Sequence, residues 1–215
     1  MKETMTVHKA LCELKVLSDR IDKEIDLLHF LTLNKHGNQK INGVSVKDYI
    51  ENVRANFKSV MTLINRRNAI KGAVINSNAV TKVTIGGKEY TVAEAIDMKA
   101  NGMSNLRKVL GNLELQWNRA LSMAERENGE KLDTRADAYV KSLYEGSDMK
   151  NLSDDIQKVR ETFVASQTVD IIDPIGAQDV MRKLKDEIDT FMADVDSALS
   201  VSNALTNIEI EYETL

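Results

Sequence analysis

Near the start of the chain Val7, Leu11, Leu14, Ile21, Ile25 and Leu28 recur at steps of three, four and seven, with polar residues filling most positions between them. This spacing predicts a helix from about Thr6 to Leu31 carrying a heptad seam. The segment NKHGNQKING interrupts the pattern, and its Asn42-Gly43, set between Ile41 and Val44, predicts a two-residue turn. A second helix opens at SVKDYI with the stripe Val46, Ile50, Val53, Phe57, Val60 and Ile64. VTIGGKEYT then predicts a small β-hairpin near residues 82–91, because Gly86-Gly87 permits the positive φ angles of a tight turn.

A third helix begins at TVAEAI. Ile96, Met103, Leu110, Trp117 and Ala124 share one heptad position, Leu106, Leu113 and Ala120 share the other, and Asn128-Gly129 ends the run. Residues 130–166 are more polar and predict short helices at 134–144 and 152–164. VASQTVDIIDPIG reads as extended, and Pro174 disfavours helix at Asp173. The last long helix therefore starts near Gly176, with Met181, Leu184, Ile188, Phe191, Val195 and Ala198 on one face. These elements predict a mainly all-α fold, an elongated antiparallel helical bundle or coiled coil with the hairpin attached. They suggest a single helical domain over residues 1–215 with an insertion at about 127–166.

Two segments echo each other: INGVSVKDYI and IGGKEYTVAEAI each place a Gly turn before [ST]-V-x-[DE]-x-I. Ser45 with Asp48, and Thr91 with Glu94, have the spacing of a capping box, and TVHKAL at Thr6 is a weaker third copy. Narrow capping chemistry accounts for the likeness without a true repeat.

Composition sharpens this reading. The chain has 215 residues, one Pro and only 5% aromatic residues against 42% hydrophobic, which favours helices packed by aliphatic side chains. A net charge of -4 gives no global attraction to a nucleic-acid polymer or an anionic membrane, so neither is expected as a partner. Cys12 is the single cysteine, which excludes an internal disulfide. No apolar run approaches the roughly 18 residues that span a bilayer, and MKETMTVHKAL lacks a signal-peptide core. A cytoplasmic location is the expectation.

Candidate chemistry concentrates in MTLINRRNAI. On the face of Ile64 the next positions are Arg67, Asn68 and Lys71, so polar groups fall where the apolar seam should continue. A buried guanidinium or amide needs an acid, a carbonyl, water or a ligand. One reading pairs these groups with acids of a neighbouring helix and fixes the register of the bundle. The other notes that Asn65, Arg66, Arg67 and Asn68 gather two guanidiniums and two amides in one turn, a set suited to a small anionic or nucleotide-like ligand.

His8 and Cys12 stand at i and i+4, but no second ligand pair accompanies them, so no metal is expected. No P-loop, dinucleotide fingerprint or nucleophile motif is present. No enzyme activity and no cofactor are expected.

INRRN at Ile64 to Asn68, followed by TVAEAI at Thr91 to Ile96, resembles the septicolysin family of small bacterial proteins, whose pattern is I-N-R-x-N, a turn, then T-L-x-E-A-L. The opening KAL segment and the tail from VASQTVDIID to NALTNIEI are also similar, with Asn203 and Thr206 as closing residues. The chain departs from that pattern in the HGNQKING loop, in much of 127–165, and at Ala100, where the family carries an acid. The resemblance implies a helical protein with a polar INRxN centre. The leading expectation is a non-enzymatic homo-oligomer that binds a small anionic ligand through Asn65, Arg66, Arg67 and Asn68, supported by Asn203. It could sequester a signal molecule as phage-encoded counter-defence proteins do. The alternatives are a ligand-free coiled-coil scaffold and a membrane-active toxin.

Overall fold

Three helix starts share one construction. Strand β1 (Lys2–Thr6) runs into α1 (Val7–Leu27), and the Thr6 hydroxyl accepts from the Lys9 N–H at 3.2 Å. The hairpin of β2 (Lys40–Ile41) and β3 (Val44–Ser45) runs into α2 (Val46–Val80), and Ser45 accepts from the Asp48 N–H at 3.1 Å. The hairpin of β4 (Lys82–Ile85) and β5 (Lys88–Thr91) runs into α3 (Val92–Asp97), where the capping box closes fully: Thr91 accepts from the Glu94 N–H, and Glu94 accepts from the Thr91 N–H. Each cap satisfies amides that a helix start leaves open, and each is followed by a valine, so the sequence echo marks one repeated way of turning strand into helix.

The computed structural model describes residues 1–144 and 154–214 and is mainly α with small antiparallel two-stranded sheets. A π-helical segment (Met98–Gly102) follows α3, then α4 (Met103–Asn128), α5 (Glu130–Leu143), α6 (Asp154–Gln167), α7 (Ala177–Leu205) and β6 (Asn207–Glu211). The chain divides into two compact units, Met1–Gly102 with Thr190–Leu215, and Met103–Asp189. The second unit is longer than the insertion suggested at 127–166.

In the first unit β1 pairs antiparallel with β6, Lys2 opposite Glu211 through Thr6 opposite Asn207. This ladder joins the two ends of the chain. Met5, Val7, Ala10, Leu17, Ile21, Ile70, Val74, Ile208 and Ile210 form the core beneath it. Helix α1 is shorter than predicted: Leu28 is extended, and its N–H turns back to the Ile25 carbonyl at 3.2 Å. At the β4–β5 turn Gly86 has φ +56, and a Cβ there would stand 2.9 Å from Thr190 Cγ2, so the turn needs glycine for conformation and for space.

The predicted third helix is divided. Met98–Gly102 winds as a π-helix, and a Cβ on Gly102 would meet Met98 Sδ at 2.5 Å. The wider turn shifts the heptad phase, leaving Ile96 exposed while Met103 is fully buried.

In the second unit Leu106, Leu110, Leu113, Trp117, Ala120 and Ala124 of α4 are half-buried along the predicted seam. Helix α5 starts four residues earlier than expected and buries Leu132, Ala136 and Val140 at steps of four. Tyr139 stacks on Phe163 of α6 at 4.6 Å, and Arg160 bridges Asp133 and Asp137 at 2.8 and 2.9 Å. The predicted start of that helix at 152 lies outside the described residues, which resume at Asp154. The predicted face of α7 is buried or half-buried at all its named positions.

Candidate functional site

In the first unit three other segments of chain hold Arg66. From α2 its guanidinium reaches Glu13 of α1 through Nε, Glu3 of β1 through Nη2 at 2.8 Å, and the Tyr212 hydroxyl, just past β6, through Nη1 at 2.7 Å. It also lies 5.3 Å from the Tyr212 ring centroid, a cation–π distance. The Tyr212 hydroxyl donates onward to Met1 Sδ at 3.2 Å. The Arg66 side chain is 19% exposed, Glu13 22% and Glu3 35%, so the cluster is largely withdrawn from water.

Hydrogen bonding to Glu13 raises the Arg66 pKa above its ordinary value; burial opposes this, and Tyr212 and Glu3 add to the rise. Two carboxylates surround one guanidinium. Lys9 adds a second cation 3.7 Å from Glu3, so the charges of the cluster balance, and three of the Arg66 N–H groups are committed to protein partners.

The neighbouring positions divide by helix phase. Asn65 is half-buried and donates from Nδ2 to the Glu213 carbonyl at 3.4 Å, so Asn65 and Arg66 both bind the C-terminal run of chain. Arg67 is half-buried and donates to Asn68 Oδ1 at 3.1 Å; Asn68 and Lys71 are exposed. Leu63, Ile70 and Val74 of α2 face the core, and of the polar run Arg66 and Arg67 are both half-buried beside them, while Asn68 and Lys71, which the sequence pattern also placed on the seam, are exposed. Asn203 is half-buried on α7, and among the described residues no hydrogen bond joins it to Asn65, Arg66, Arg67 or Asn68.

Glu3, Glu13 and Tyr212 are absent from the sequence-derived set. The signal for two of them lay in the chain ends: ETMT and NIEIEY alternate with period two, as strands do. Elsewhere, His8 Nε2 lies 3.9 Å from Cys12 Sγ on the exposed face of α1, and among the described residues no three metal-ligating side chains gather. Among them too, no helix is long and apolar enough to cross a membrane.

Comparison with known proteins returns no matching family model, no matching curated protein and no matching solved structure. The septicolysin resemblance therefore rests on the INRRN, TVAEAI and tail residues alone.

Proposed function

We propose that this chain is a non-enzymatic, self-associating helical scaffold, with Arg66 as an internal clamp that holds its two ends together. The observation that carries self-association is an apolar surface at the far end of α1. Leu27, Leu31 and Leu33 are 75%, 92% and 100% exposed, beside a Phe30–Phe57 edge-to-face pair at 5.8 Å. Surfaces of this kind are costly in water and mark interfaces.

Both helices carry exposed charges of both signs, Asp22, Lys23 and Asp26 on α1 and Lys47, Asp48, Glu51, Arg54 and Lys58 on α2, so the surface has no single sign that would select a polyanion. Light scattering at micromolar concentration should give a multiple of the 24.1 kDa chain mass, and Leu31→Lys with Leu33→Lys should reduce it. A wild-type mass of one chain would reject the reading.

A second reading keeps the small-anion ligand. Arg67 and Lys71 stand at i and i+4 on α2, and among the described residues neither forms an ion pair with an acid. Like charges so placed repel, and an anion would relieve them. Inorganic phosphate or a mononucleotide should then raise the melting temperature of the wild type and leave Arg67→Ala with Lys71→Ala unmoved. Equal shifts in both proteins would discard the site.

A further inference from the structure

The β4–β5 hairpin leaves one edge open. Val92 N–H donates to the Thr81 carbonyl at 2.9 Å, and the register sets Val83 opposite Tyr90 and Ile85 opposite Lys88 across the Gly86-Gly87 turn. Alternation then directs the main-chain groups of Thr81, Val83 and Ile85 toward β5, and those of Lys82 and Thr84 away from it. Among the described residues no hydrogen bond engages the outward N–H and C=O groups of Lys82 and Thr84. They face a groove of about 560 Å³ whose other wall is α7, at Ser197, Ala198, Val201 and Leu205. Val201 and Leu205 are 55% and 76% exposed. An open edge beside small and apolar side chains has the form of a site for an added strand.

The second unit holds a segment with the matching form. Thr168 to Asp173 connects α6 to α7 with neither helix nor strand pairing, and Val169, Ile171 and Ile172 are strong β formers. The Asn128 side chain acts as a one-residue partner: Oδ1 accepts from the Val169 N–H and Nδ2 donates to its carbonyl, both at 2.8 Å. At the other end Asp173 caps α7 by accepting from the Ala177 N–H at 2.7 Å. Between these anchors the main-chain groups of Asp170 and Ile172 have no hydrogen bond among the described residues, and Ile172 is 84% exposed. The segment is anchored at both ends before any partner arrives, which lowers the ordering cost of pairing.

We propose that Thr168 to Asp173 of one copy adds as an antiparallel strand to the open edge of β4 in a second copy, with Ile172 opposite Lys82 and Asp170 opposite Thr84. The unpaired groups on both sides recur every second residue, so this register satisfies all of them. Asp170 then lies diagonal to Lys82, and opposite charges meet. This deepens the self-association reading and rests on it, but uses a different surface from the apolar end of α1.

The test introduces Thr84→Cys and Asp170→Cys into the full chain with Cys12→Ser, since hydrogen-bonded antiparallel pairs bring Cα atoms to about 5.5 Å, within disulfide reach. Mild oxidation should convert most of the protein to disulfide-linked dimers and higher ladders, with each single-cysteine chain staying uncrosslinked. A crosslink confined to one chain would overturn the proposal, as would one formed by Thr84→Cys alone, which would mean that β4 pairs with β4. Thr84→Pro supplies an independent measurement: it deletes an outward N–H that β5 does not use, so the assembly mass should fall while helical content is kept. An assembly that forms in wild type yet gives neither crosslink nor Pro effect rejects the strand alone. A monomeric wild type rejects self-association itself.

Discussion

Arg66→Ala is expected to destabilise the chain by about 2–3 kcal/mol, less than a fully buried pair would give because Glu3 and Glu13 keep some water. The loss has two sources. Glu13 would lose its cation and Glu3 would keep only Lys9 at 3.7 Å, and the Tyr212 hydroxyl would lose its donor and the ring its cation–π contact. Arg66→Lys should recover only part of the stability, because an ammonium has no planar fork to reach two acids and a phenol at once. Tyr212→Phe should cost less than Arg66→Ala, since both ion pairs survive. Urea denaturation followed by circular dichroism would measure all three. If Arg66→Ala were as stable as wild type, the clamp would have no structural role and Arg66 would return to the ligand-binding reading.

What could be read from the sequence here was local. Thr6, Ser45 and Thr91 announced three helix starts because capping depends on residues three apart, and Gly86-Gly87 announced a turn because few other residues tolerate positive φ. The face of α7 was legible because one unbroken apolar stripe runs along it.

The partners of Arg66 were not legible, because Glu13 lies 53 residues away and Tyr212 146, and the polar run itself does not say which of several acids it will meet. The β1–β6 ladder escaped for the same reason: Met1 and Tyr212 are 211 apart, and each strand is too short to stand out. The phase of α2 misled differently. The stripe through Val46, Val53 and Val60 runs on at seven-residue steps through Arg67 to buried Val74, while the line through Ile64 leads to Asn68 and Lys71, which stay in solvent. Contact with α1, β1 and the run past β6 widens the covered face to take in Ile70 and Arg66.

That placement makes Ile70 the position where a small change should cost most. Its side chain is fully buried in a cluster built from β1, α1, α2 and β6, with Val7, Ala10, Ile208 and Ile210 among its members. Ile70→Ala removes the transfer energy of the lost carbons and leaves a cavity. The walls come from both ends of the chain, and a paired β1–β6 ladder cannot move in to fill the space. The expected loss is about 3–4 kcal/mol, against about 1 kcal/mol for Ile70→Val, which keeps most of the volume. Because Arg66 and Ile70 are one helical turn apart and hold the same strands, Arg66→Ala combined with Ile70→Ala should cost less than the sum of the two. Once either change frees the strand pair, the other has less left to disrupt. Equilibrium denaturation of the two single variants and the double variant would decide it. Strictly additive losses would mean that the polar clamp and the apolar core hold the chain ends independently.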